Sequence, residues 1–441
     1  MKILIVGAGG REHAIADKLN VQNNQIFCLP GNPGIWQIAG KVNINVDDFE
    51  GISSFCKKEN IELVVIGPEQ PLAKGITNFL ERNKINVFGP SKEAAMLETS
   101  KSFAKEIMME NNIPTARFIT FDNNHIEEAV NFVTNLGKSN QSLSNDFNFP
   151  IVLKADGLAA GKGVVICQTK EEAEIELTQM LQGKFGEASN KIVIEEYLEG
   201  EEVSIFAITD GNEYIILSPS QDYKKISDYD QGKNTGGMGS YAPVPFLDEH
   251  TTKYIENKII RPIITAMLEK GTPFKGCLYV GLILTKNGPK VLEFNARFGD
   301  PETQAVLRLI EGNFTELLYS AATGNLNKNS ILITNEFACC IVLASKGYPD
   351  DYQTGFEISN IDKINDPDVK IYQAGTKIEN GKLLTNGGRV LNVSVKNADY
   401  KTAIEKAYFY ADLINFNNKY YRKDIAKKVI SYYNEYVRKR S

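Results

Sequence analysis

The chain has 441 residues, enough for roughly three compact units, and its 42% apolar and 24% charged content with 35 Gly and 16 Pro excludes disorder, collagen and coiled coil. A net charge of −6 supplies no global field for phosphate polymers or anionic lipid, so neither nucleic acid nor a membrane is expected as a partner. The longest apolar runs, such as Ala338 to Ala344, cannot span a bilayer, and Met1-Lys2 leads directly into a strand, so a cytoplasmic protein is expected. Lys2 to Val6 is an apolar strand that ends in Gly7-Ala8-Gly9-Gly10, and Arg11 to Leu19 then shows helical periodicity. Further strands at 25–29, 62–66 and 85–88, with helices at 49–59 and 73–82 between them, predict a doubly wound parallel sheet. The loops 7–10, 30–34 and 67–71 each follow a strand and gather at its carboxyl edge, where open α/β sheets bind ligands.

A helix from about Ser91 to Asn111 leads out of this unit and stops before Ile113-Pro114. Gly137 to Asn148 is Ser/Asn-rich and predicts a surface loop with no core residues. From Phe149, strands flank glycine-rich turns, with helices at 170–181 and 250–268, which predicts α+β architecture. A last, β-rich unit has strands at 337–343 and 390–395 and an amphipathic helix from about Tyr400. The expected units are 1–100, 101–330 and 331–441. Six cysteines without a CxxC pair read as buried thiols, and three histidines leave little material for His-based chemistry, so carboxylates, lysines and backbone amides must carry it.

The 7–10 turn lacks the third glycine of a dinucleotide motif, because position 12 is Glu. It suits one phosphate of a smaller ligand, or is simply a tight turn. Lys154-Ala155-Asp156-Gly157 to Gly163 places one lysine at a strand end and Lys162 between glycines, a pattern able to close over phosphates and neutralise charge in phosphoryl transfer. Glu195 to Glu202 holds five carboxylates. It reads either as a solvated acidic turn or as a hinge strand gripping adenine, with a second Glu on the ribose. Glu293 and Asn295, two apart on a strand, point hard oxygen ligands to one face and Arg297 extends the row; a solvent-facing polar strand is the alternative. Asn234-Thr235-Gly236-Gly237-Met238-Gly239 lets backbone approach a ligand closely, or is an ordinary flexible loop.

Together these segments resemble the ATP-grasp fold and, more narrowly, the phosphoribosylamine-glycine ligase (glycinamide ribonucleotide synthetase) family. The resemblance runs through VGAGGREHA, PGNPG, GPE, SKSFAK, KADGLAAGKGV, NTGGMG, EFNARFGDPETQ, NGGRVLNV and YRKDIA, over nearly the whole chain. It implies an N-terminal substrate-binding unit, a central ATP-grasp unit with a flexible lid over about 119–194, and a small C-terminal unit. It also implies that ATP phosphorylates glycine and that 5-phosphoribosylamine displaces the phosphate, with Mg2+ or Mn2+ as cofactor. Lys105 and Lys154 would then contact ATP phosphates under a lid including Gly157, Gly161, Lys162 and Gly163, Glu195 and Leu198 would frame adenine, and Glu202 would take the ribose. Glu293 and Asn295 would hold the metal. Gly9, Gly10, Asn32, Gly34, Pro68, Glu69, Asp222, Asn234, Thr235, Gly236, Met238, Arg297 and Asp300 would line the substrate side, with Lys154, Arg297 and Asp300 in catalytic roles.

Three positions depart from the family pattern. Tyr223 stands where His is usual, 138–148 resembles an insertion, and Ala426 replaces a Gly. The rival readings are another ATP-grasp carboxylate-amine ligase, which would differ at NTGGMG and RFGDPE, a catalytically silent nucleotide-binding protein, which would not need Lys154, Glu293, Asn295 and Arg297 together, and a nicotinamide dehydrogenase, which Glu12 disfavours. The remaining expectations are a monomer and, because the chain ends soon after its last unit, a monofunctional enzyme.

Overall fold

The computed structural model describes residues 1–136, 147–159 and 163–440, without the side chains of 434–440. Gly161 and Lys162, and the insertion up to residue 146, lie outside the described residues. The N-terminal strands form a five-stranded parallel sheet in the order Gly40–Lys41, Gln25–Pro30, Lys2–Gly7, Leu63–Ile66, Val87–Phe88. Strand order reverses beside Lys2–Gly7, so the loops after Gly7 and Ile66 open at the switch point of the sheet. Leu63–Ile66 is apolar throughout because helices cover both faces.

Residues 91–111 do not form one helix. The chain is extended at Ser100, between helices Met96–Thr99 and Lys101–Glu110. The Ser100 hydroxyl accepts from the Phe103 amide as an N-cap, and Asp156 accepts from the Ser102 amide at 2.5 Å, so this helix start is tied to the KADG turn. The expectation of a core-free loop at 137–148 also fails at its end. Phe147 is buried, edge-on to Phe132, because an aromatic this large gains more from packing than a polar neighbourhood can deny it.

The central region holds two four-stranded antiparallel sheets. One runs Phe118–Asp122, Lys191–Glu196, Ile151–Ala155, Val164–Cys167; the other runs Tyr214–Ile216, Glu201–Asp210, Lys275–Thr285, Gly288–Asn295. In the first, Ile151, Leu153, Ala155, Ile192 and Ile194 pack beneath helix Lys170–Leu181. Strand alternation therefore turns Lys154 and Glu195 to the opposite face. The C-terminal sheet takes in Gln221–Asp222 and Gly239–Ala242 beside Phe337–Ser345, Arg389–Asn397 and Val369–Gln373, with Lys419–Tyr420 paired at its side. All six cysteines are buried, and burial pushes each thiol pKa up.

Candidate active site

Between the two central sheets, two lysines share one carboxylate. Val152 pairs with Glu195 and Lys154 with Val193, which puts Lys154 and Glu195 on one face as diagonal neighbours. Lys154 Nζ lies 3.0 Å from Glu195 Oε2, and Lys105 Nζ, from helix Lys101–Glu110, lies 3.2 Å from Oε1. Burial lowers the Lys105 pKa to about 8 against the opposing pull of Glu195, with Lys154 adding to the lowering. Glu195 is thus held between cations, while Leu198 lies half-buried in the turn that follows.

A bulge at Leu292 in strand Gly288–Asn295 lets Val291 and Phe294 both face the core while Glu293 and Asn295 share the other side. The Leu292 carbonyl accepts from Lys154 Nζ at 3.0 Å, so one lysine spans both sheets. Asn295 Nδ2 lies 3.4 Å from Glu293 Oε1, and Arg297 Nη2 donates to Asn295 Oδ1 at 3.3 Å. Despite its burial, the Glu293 carboxyl is held below the usual range by Lys224, Lys154 and Lys101. No cluster of three or more His, Cys, Asp or Glu able to hold a metal exists among the described residues. Two hard oxygen donors on one face, one of them kept ionised, fit a divalent cation that takes its other ligands from phosphate and water.

Opposite lies a cluster that the sequence reading missed in part. Lys224 Nζ contacts Glu202 Oε2 at 2.5 Å and Asp222 Oδ1 at 3.9 Å. Burial, with carboxylates of Glu302 and Glu202 nearby, raises the Asp222 pKa, and Lys224 opposes it. Lys101, also missed, donates to the Gly157 carbonyl at 3.3 Å. Gly157 is packed so that an added Cβ would sit 2.9 Å from Ala188 Cα, and the Gly163 carbonyl accepts from the Ala155 amide at 2.8 Å.

The other end of the cleft is built from three parts of the chain. The Gly9 amide donates to Glu12 Oε2 at 2.6 Å, so this amide is spent within the turn, and Glu12 fills the space between Gly7 and Gly67. Asn32 uses its whole amide: Nδ2 donates to the Ala8 and Gln373 carbonyls, and Oδ1 accepts from the Gly34 and Ile35 amides. A Cβ at Gly34 would meet His13 at 2.2 Å, and one at Gly10 would meet Asn392 at the same distance. Following Pro68, Glu69 approaches Arg297 Nε at 3.5 Å, and Glu98 takes Arg297 Nη2 at 3.1 Å, so Arg297 joins two units internally.

Asp300 lies beside Gly9 and pairs with Arg389 at 3.1 Å; Arg389 and Arg11 hold its carboxyl below the usual range against burial. The same Arg389 donates to the Gly236 carbonyl at 2.6 Å and the Asp300 carbonyl at 2.7 Å, tying the NTGGMG loop to the RFGDPE turn. Gly237, at φ +105°, is where Pro301 comes closest, 2.4 Å from a would-be Cβ. Asn234 ends a hairpin strand, the Thr235 hydroxyl donates to the Lys224 carbonyl at 2.8 Å, and Met238 is fully buried, contributing backbone rather than side chain. Arg389 was visible within NGGRVLNV, but nothing local marks it as reaching residue 300.

Three family models match the chain: "Phosphoribosylglycinamide synthetase, N domain" over residues 1–98, "ATP-grasp (A) domain" over 99–303 and "C domain" over 338–428. A phosphoribosylamine–glycine ligase of Caldanaerobacter subterraneus is 45% identical over 429 residues, covering 97% of this chain and 99% of the relative. The trifunctional purine biosynthetic protein adenosine-3 of Bos taurus is 42% identical over 98% of this chain, which spans 42% of that longer protein. The crystal structure of phosphoribosylamine–glycine ligase from Thermotoga maritima superposes with a TM-score of 0.83 at 34% identity, covering 97% of this chain and all of that one. A biotin carboxylase domain from Hydrogenobacter thermophilus, at 16% identity and a TM-score of 0.71 over 95% of this chain and 91% of that one, shares the fold. By family match, identity and superposition alike, this chain belongs to the phosphoribosylglycinamide synthetase family.

Proposed function

We propose that the protein joins glycine to 5-phosphoribosylamine at the expense of ATP, giving glycinamide ribonucleotide, ADP and phosphate, an early step of purine synthesis. The observation that carries this reading is the cleft between the two central sheets, with Lys154 and Lys105 on one wall and Glu293 with Asn295 on the other. A glycine carboxylate oxygen attacks the γ-phosphorus and ADP leaves; the amine then attacks the acyl carbon, phosphate departs with that oxygen, and the nitrogen loses a proton. Positioning and charge neutralisation suffice for both steps, so no histidine base is required.

Lys105 and Lys154 take the phosphates, and Gly157 and Gly163 border them on the side that shields the acyl phosphate from water. Glu195 and Leu198 border adenine, and Glu202 exchanges Lys224 for ribose hydroxyls. An ATP-grasp ligase uses ATP and a divalent cation; we assign Mg2+ or Mn2+ to Glu293 and Asn295, where it would supply charge neutralisation on phosphate oxygens. Arg297 and Asp300, with Gly9, Gly10, Asn32, Gly34, Pro68, Glu69, Asp222, Asn234, Thr235, Gly236 and Met238, shape the side that receives glycine and phosphoribosylamine. The same reading divides the chain at about residues 100 and 330 and makes it a cytoplasmic monomer without nucleic acid or membrane partners; sedimentation as a single 49.0 kDa species checks the monomer.

ADP release is the test of function. It should require glycine and freshly generated phosphoribosylamine together and match the amide formed; release indifferent to both, or answering to another acid and amine, would remove the substrate assignment.

A further inference from the structure

The segment 420–426 closes over the hairpin of strands Lys225–Ser227 and Gln231–Asn234, which leads out of the cleft at Lys224 and back into it at Thr235. Arg422 is fully buried there. Its Nη1 donates to the Lys225 carbonyl at 2.9 Å, Nη2 to Asp230 Oδ1 at 3.0 Å, and Nε and Nη2 together fork onto Asp424. Its guanidinium carbon lies 4.8 Å from the Tyr223 ring centroid, within cation–π range. The hairpin tip needs such a hold: Tyr229 and Asp230 are consecutive left-handed residues, and Asp424 accepts from the Tyr229 amide at 2.8 Å.

Two of the positions that depart from the family pattern meet here. The Tyr223 hydroxyl accepts from the Ala426 amide at 3.0 Å, and Ala426 is itself left-handed at φ +61°. Tyr223 therefore turns its polar end away from the cleft and toward the C-terminal segment. Its backbone carbonyl accepts from the Met238 amide at 2.8 Å, and Lys224's from the Thr235 amide at 2.7 Å.

We propose that this segment is a latch and that Arg422 is a positioning residue for Lys224. It grips the residue before Lys224 through the ring and the residue after it through the carbonyl, so Lys224 Nζ is presented to Glu202 and Asp222 in one place. The inference rests on the proposed ligase reading only for its kinetic consequence. Arg422→Lys keeps the charge but loses the fork and the planar stack.

The experiment is a double-mutant cycle on amide formation, joined to hydrogen exchange at the Thr235 and Met238 amides. Arg422→Lys should lower kcat by about tenfold or more, a loss typical of a group displaced by a fraction of an ångström, and should leave the KM for ATP within about twofold. Arg422→Lys combined with Lys224→Met should be no slower than Lys224→Met alone. Losses that multiply, or an Arg422→Lys enzyme with lower melting temperature and unchanged kcat, would overturn the proposal. Tyr223→Phe, which removes a single oxygen, gives the same pattern more weakly and serves if the arginine variant does not fold. Should the wild-type chain form no amide, the ligase reading falls and exchange alone decides the latch: protection at Thr235 and Met238 drops at least tenfold in Arg422→Lys if it is right and stays unchanged if it is wrong.

Discussion

The two ends of the cleft are built on opposite principles. At the end proposed to take the nucleotide, charges outnumber their partners: Lys105 and Lys154 divide one carboxylate, while Glu202, Asp222 and Glu293 gather around Lys224. At the other end most polar groups are already satisfied, with Arg297 Nε and Gln304 Oε1 the exceptions among its described side chains. The Gly9 amide, the Asn32 side chain, the Thr235 hydroxyl and the Asp300–Arg389 pair are all spent on neighbouring protein. Under-matched charge is poised for a charged substrate and contributes little to folding, whereas a satisfied network fixes the shape of a cavity and is felt in stability. Substitutions at the first end should therefore reduce rate, and those at the second should reduce stability.

Glu293→Ala is expected to have the largest effect, a loss in turnover on the order of 10³-fold from several kcal/mol of lost charge stabilisation, with melting temperature shifted only slightly. Equal activity at matched Mg2+ would break the contrast at the nucleotide end. Gly237→Ala should act in reverse. A Cβ 2.4 Å from Pro301 at φ +105° should cost about 2–4 kcal/mol in denaturant unfolding.

His13 sharpens the contrast through pH. Burial lowers its pKa from 6.5 to about 4, with Nδ1 accepting from the Gln373 amide at 2.8 Å. Between those values the unfolded chain binds a proton that the folded chain does not, so stability is fully present above pH 6.5 and is lost as pH falls toward 4, by about 3 kcal/mol in all. Unfolding titrations should show that dependence flattened in His13→Gln. At the nucleotide end pH should instead register in kinetics. Lys105 gives up its proton near pH 8, so kcat/KM for ATP in the free enzyme should bend downward above that value, and a profile flat to pH 9.5 would contradict the role of Lys105. The smallest effect is at Ala426, where Ala426→Gly relieves a left-handed alanine and should raise stability by up to about 1 kcal/mol, read by thermal melting.

The same contrast explains what could be read from the sequence. Lys154, Glu195, Glu293 and Asn295 sit on strands whose alternation is visible locally, and the structure brings them together as that alternation requires. Even there the bulge at Leu292 was invisible, since one extra residue leaves no compositional trace. The break at Ser100 escaped because its cap depends on Asp156, 56 positions away in the chain. The far end depends on still longer reach. Arg389 meets Asp300 across 89 positions and Asn32 meets Gln373 across 341, and no local pattern announces such partners. Lys101 stood within SKSFAK and Lys224 directly after Tyr223, yet their roles depend on which side of the cleft each one faces.

The central claim is that glycine is activated on its carboxylate between the two sheets. Glycine labelled with 18O in both carboxylate oxygens tests this directly, by mass analysis of the phosphate released during turnover with ATP and phosphoribosylamine. One labelled oxygen should appear in each phosphate, with the other retained in the amide; unlabelled phosphate accompanying amide formation would contradict the acyl phosphate route and the account of the cleft built on it.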